Sequence, residues 1–213
     1  MLIIEDDAMD EIFSLFIEQV GEPVFRQEVP PSSIERYKGV LPDKLLEYWI
    51  EHGWGGYGDG IFWIVNPQEY EGVTASLIGG TPLEKRDRYH IIARGAFGDL
   101  FLFGENTGFS VKILAHLSRY RGSEYELTAA DMDTEVQSFF LSKEKASVDF
   151  DDMFESAKSK LGVLKHDEIY GFVPALAFGG PCELSHLEKV KTLEHLILLS
   201  QICPLTPYSF SDF

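Results

Sequence analysis

Residues Gly53-Trp54-Gly55-Gly56-Tyr57-Gly58-Asp59-Gly60 place five glycines within eight positions. Glycine loses the most backbone freedom on folding, and it is used where the chain needs positive φ or close backbone approach. The segment is therefore expected to be a loop rather than a regular element. Before it, Leu41-Pro42-Asp43 opens a helix with Leu45, Leu46, Trp49 and Ile50 on its apolar face. After it, Phe62-Trp63-Ile64-Val65 has the aromatic and β-branched content of a strand. A helix-to-strand order is the reverse of a phosphate-cradling loop, and neither GxGxxG nor a P-loop lysine follows. Loops held on rigid scaffolds carry binding residues, and Trp and Tyr are favoured anchors. Trp54, Tyr57 and Phe62, with Asp59 beside them, are candidate partner-binding residues. Trp49, Trp63 and Phe172 read as core, a reading open to Trp54 as well.

The rest of the chain alternates helical and extended patterns. Met9, Ile12, Phe13, Phe16, Ile17 and Val20 predict an amphipathic helix over 7–20, with Asp6 or Asp7 as cap and Gly21 as stop. Ser32 and Glu35 have capping-box spacing for a short helix running to Lys38. Residues 89–94, 100–103 and 110–114 are apolar strands separated by glycine-bearing turns, so an antiparallel meander is expected. Helices are predicted over 134–141, 151–161 and 191–202. The last of these is apolar on more than one side and is expected to be central. Residues 170–181 read as a buried, turn-rich stretch and 205–213 as a tail. The fold class is α+β: an antiparallel sheet packed by N-terminal helices, with a more helical C-terminal domain docked against it. The expected boundary lies between residues 118 and 119, giving domains 1–118 and 119–213.

Charge narrows the function. The formal net charge is −17, with a net −9 in residues 1–60 and −8 in residues 124–155. Such a chain is repelled by nucleic acid and by anionic membranes, and it attracts basic partners quickly at low salt. Glu124, Glu126, Asp131 and Asp133 are candidate partner-facing acids. The N-terminal residues have no basic or long apolar run, so no secretory signal is expected, and a cytoplasmic location is. Cys182 and Cys203 are too few for a disulfide framework and read as buried apolar residues.

The search for catalytic chemistry yields little. The six histidines form no zinc-binding spacing, and the two cysteines no CxxC pair. His166-Asp167-Glu168 and His186-Leu187-Glu188 are more simply polar helix starts than metal ligands. No GxSxG elbow is present. His90, Arg94 and Asp99 fall near one predicted hairpin and form the one cluster worth testing for an enzyme. The expectation is no catalytic, cofactor or metal site.

Two stretches carry a resemblance. Val29-Pro30, Ser33-Ile34-Glu35-Arg36-Tyr37, Gly39-Val40-Leu41-Pro42-Asp43, Tyr48-Trp49, Gly53-Trp54, Gly60-Ile61-Phe62-Trp63 and Val65-Asn66-Pro67, continuing through Ala96-Phe97-Gly98-Asp99, resemble the bacterial GAD-like domain. Asp167-Glu168-Ile169-Tyr170-Gly171-Phe172-Val173-Pro174-Ala175-Leu176, Gly179-Gly180 and Lys189-Val190-Lys191 are similar to the C-terminal domain of type VI secretion immunity proteins that protect against DNase effectors. The resemblance implies a non-catalytic immunity protein whose partner is a cognate toxin, most often a basic nuclease, the chain being a monomer or weak dimer when free. The alternatives are a regulatory or small-ligand-binding module, or a small hydrolase.

Overall fold

The computed structural model describes residues 10–122, 128 and 131–209. The first half runs α1 (Glu11–Val20), β1 (Pro23–Gln27), α2 (Pro31–Tyr37), α3 (Asp43–His52), β2 (Trp54–Tyr57), β3 (Phe62–Ile64), α4 (Glu71–Ile78), β4 (Tyr89–Gly95), β5 (Asp99–Gly104) and β6 (Gly108–Leu114). The second runs β7 (Arg119–Gly122), α5 (Met132–Leu141), α6 (Lys145–Val148), α7 (Phe154–Leu161), β8 (Glu168–Phe172), β9 (Leu187–Lys191), α8 (Thr192–Ile202) and β10 (Thr206–Pro207). Among the described residues one eight-stranded sheet has the order β1-β2-β3-β4-β5-β6-β7-β10, and β8-β9 is a separate hairpin. Every pairing in the large sheet is antiparallel except β10 on β7. The fold is α+β, and the predicted meander is β4-β5-β6.

Alternation along β3 sorts the core onto two faces. Phe62 meets Phe16 of α1, Phe101 of β5 and Phe139 of α5. Phe13 of the same helix α1 packs against Tyr48 of α3 and Phe140 of α5. Trp63 points the other way, toward Phe25 and Arg94. Helix α1 begins where Asp10 Oδ1 accepts from the N–H groups of Ile12 (2.9 Å) and Phe13 (3.4 Å), and that oxygen also accepts from the Tyr48 hydroxyl (3.0 Å). The cap is thus Asp10; Asp6 and Asp7 lie outside the described residues. Pro30 rather than Ser32 precedes α2, so the Ser32–Glu35 capping box is not formed.

The glycine segment is not a loop throughout. Its first part is strand β2, buried at every residue, and its second part is a one-turn 3-10 helix, Gly58–Gly60. Glycine serves close approach here. A Cβ on Gly55 would overlap the Phe25 carbonyl of β1, and one on Gly56 would stand 2.8 Å from the Trp63 ring. Gly58 (φ 57) and Gly60 (φ 92) take the left-handed turn.

The C-terminal half departs further from expectation. Helix α8 is not central: Leu196 and Leu199 are buried, but Leu198 and Ile202 are about half exposed. Helix α7 starts at Phe154, since Asp151 and Asp152 both adopt left-handed conformations and the Asp149 carboxylate accepts from Phe154 N–H. The stretch read as apolar turns contributes β8, and the presumed tail contributes β10, with Leu205 buried. His166-Asp167-Glu168 leads into β8 and His186-Leu187-Glu188 into β9, so neither is a helix start. Cys182 is exposed and Cys203 partly so, and both are free thiols rather than buried filler.

Candidate functional site

The aromatic residues proposed as anchors are core residues. Trp54, Tyr57 and Phe62 retain 4%, 2% and 0% of their exposure. Trp54 packs edge-on to Trp49, Tyr57 beneath Phe13 and Phe16, and Phe62 among Phe16, Phe101 and Phe139. Side chains enclosed this far by their own fold leave a partner little area to contact, which argues against all three as exposed anchors.

The acids fare differently. Asp59 stands exposed at φ 62 on the turn after β2, and its carboxylate accepts from Lys158 Nζ at 2.9 Å. That ammonium holds the Asp59 carboxyl below its ordinary pKa. Lys158 is shared with Glu155 at 2.7 Å. Asp131 and Asp133 are exposed at the start of α5, and Asp133 Oδ1 accepts from the Lys44 backbone N–H at 2.9 Å. Glu124 and Glu126 lie outside the described residues.

Many of the cations are engaged by neighbouring acids or carbonyls of the same chain. Arg36 pairs with Glu71, Lys112 with Asp99, and Lys191 with Asp167 and Glu168. Arg26 donates to the terminal carbonyls of α3, Glu51 O and His52 O. With 18 Lys and Arg against 35 Asp and Glu, this leaves a surface dominated by carboxylates. Surface pairs of this sort add little stability, but the unbalanced field steers cationic partners.

On the Trp63 side of the sheet lies a shallow cleft of about 30 Å³, room for about one water. Phe25, Trp54, Trp63, Tyr70 and His166 line it, with Glu69 at its polar side. The His166 ring stacks on Phe25 with centroids 5.2 Å apart. Behind it Arg94 is fully buried, its guanidinium 4.7 Å from the Trp63 ring centre. Arg94 donates to His166 O at 2.8 Å, while its Nε has no hydrogen-bond partner among the described residues. Arg94 thereby fastens the segment before β8 to strand β4.

The structure does not unite His90, Arg94 and Asp99. His90 bonds Glu105 at 2.9 Å, Arg94 sits behind the cleft, and Asp99 pairs with Lys112 at 2.9 Å. Sequence reasoning missed His116, which lies beside Asp99. Its Nδ1 is 3.6 Å from Asp99 Oδ1, beyond hydrogen-bond reach, and Phe150 covers it edge-on. Burial is the main reason its pKa is lowered, with the Asp99 charge opposing. Burial lowers His52 and His195 too. A neutral buried histidine that the unfolded chain protonates below about pH 6.5 makes the unfolded state bind more protons in acid. Stability is therefore expected to be complete above about pH 7 and to fall as the pH drops below about 6.5. Melting curves from pH 7.5 to 5 check this; His116→Leu is expected to flatten the slope, and an unchanged slope would clear His116 of the effect.

Among the described residues no group of three or more His, Cys, Asp and Glu is placed to hold a metal ion, and no helix is long and apolar enough to cross a membrane. What the geometry presents is an acidic α+β scaffold with most of its aromatic residues in the core. Residues 11–117 match the GAD-like domain, and the chain belongs to that family. Residues 133–203 match the C-terminal domain described as T6SS immunity protein Tdi1, which supports a type VI secretion immunity role. Among solved structures, the chain is similar to Atu4351 from Agrobacterium tumefaciens, at a TM-score of 0.83 and 24% identity over 93% of each chain. That likeness shows the shared fold. No curated protein matches significantly.

Proposed function

We propose that this chain is a non-catalytic, cytoplasmic immunity protein that binds a basic, nuclease-type effector through its acidic surface. The match of residues 133–203 to an immunity-protein domain carries the reading. The net charge of −17 supports the kind of partner, because a nuclease presents cations to phosphate. We further propose a division near residue 118 into a GAD-like unit and an immunity unit. Asp59, Asp131 and Asp133 are the acids proposed to face the effector, with Glu124 and Glu126 alongside on sequence grounds.

The test is co-purification of the chain with an inactivated effector encoded beside it, together with growth rescue from the active form. A one-to-one complex that protects cells is expected. A folded effector that neither binds nor is neutralised would overturn the assignment for that pair. Asp59→Asn, Asp131→Asn and Asp133→Asn combined are expected to slow association about tenfold at low salt and to flatten its salt dependence. Stopped-flow association rates measure both; unaltered rates would remove these acids from the interface.

A further inference from the structure

We infer that the free edge of β1 is where the effector docks, by adding a basic strand to the sheet; this deepens the immunity reading and rests on it. Strand β1 ends the sheet order, so among the described residues its outer side has no neighbouring strand. All five of its residues are exposed, Val24 to 46% and Phe25 to 37%. Such edges template pairing with another chain unless they are blunted. Here Pro23 and the register shift between Pro23 and Phe25 blunt the first half only.

The second half is regular. The carbonyls of Phe25 and Gln27 face β2, where they crowd the Cβ positions of Gly55 and Gly53. Backbone direction alternates along an antiparallel strand, so Arg26 between them turns its N–H and C=O outward. The electrostatics select the occupant. Glu22 and Glu28 flank the strand and Glu51 stands beside it, all exposed. The one cation of β1, Arg26, folds back onto Glu51 O (3.1 Å) and His52 O (3.0 Å). An incoming strand therefore meets carboxylates, and one bearing Lys or Arg is favoured. Phe25, itself exposed to 37%, adds an apolar surface beside the edge against which a side chain of the incoming strand can pack.

Two variants separate backbone pairing from side-chain loss. Arg26→Ala removes the guanidinium but keeps the outward N–H; Arg26→Pro removes both, at a position where an edge strand tolerates proline. Against the inactivated effector encoded beside the gene, Arg26→Ala is expected to bind within about threefold of wild type and Arg26→Pro at least about 30-fold more weakly. Equal affinities of the two variants overturn the edge proposal while leaving the immunity reading intact. Failure of the wild-type chain to bind overturns both. Should Arg26→Pro misfold, amide exchange in the wild-type protein decides: the Arg26 N–H is expected to exchange at least about tenfold more slowly in the complex. An unchanged rate overturns the proposal.

Discussion

Gly58→Ala is expected to lower the melting temperature by about 6–12 °C, corresponding to roughly 3 kcal/mol for a chain of this size. Gly58 has φ 57, which costs a non-glycine residue about 1 kcal/mol or more. Its added Cβ would also overlap the backbone carbonyl of Val20, the last residue of α1. Backbone cannot move aside as a side-chain tip can, so α1 must shift away from β2. That shift would disturb the packing of Phe16 against Tyr57 and Phe62. Gly39 is the control. It has φ 71, but a Cβ there meets nothing within 4 Å. Gly39→Ala should show the conformational cost alone, about 1 kcal/mol. Thermal melts of both proteins test the argument; equal losses would mean that contact with Val20 contributes nothing.

Arg94→Ala is expected to destabilise the fold by about 3 kcal/mol, and Arg94→Met by less than about 1.5 kcal/mol. Alanine leaves a void beside Trp63 and strips His166 O of the donor it holds at 2.8 Å. Methionine fills much of the space and removes a buried cation whose desolvation is costly. Denaturant unfolding of the two variants gives the comparison. Equal losses for the two variants would show that the charged guanidinium and its hydrogen bond, rather than the packed volume, hold the segment before β8 to the sheet.

The two variants probe what was least legible in the sequence. Helices α1 and α3 and the β4-β5-β6 meander were readable because their signals are local: apolar residues at helical spacing, and short apolar runs between glycine turns. Strand β1 was not, since Pro23–Gln27 has no buried residue and owes its conformation to pairing with β2. Strands β7 and β10 depend likewise on partners, which for β10 lie far away along the chain. The predicted site fared as its chemistry allows. Charged Asp59, Asp131 and Asp133 are on the surface, where the desolvation cost of burying a carboxylate keeps such groups. Trp54, Tyr57 and Phe62 suit an interface and a core equally in composition, and only the packing around them distinguishes the two.

The amino-acid sequence by itself determined the negative charge, the positions of the main helices and the need for backbone freedom between residues 53 and 60, all properties of neighbouring residues. Tertiary structure alone decided what that freedom serves: the Phe25 carbonyl at Gly55, the Trp63 ring at Gly56 and the Val20 carbonyl at Gly58. It also decided that Arg94 faces His166 rather than Asp99 and that Leu198 of α8 faces outward. The reason is that periodicity records which residues share a face, whereas burial depends on what distant segments bring against that face.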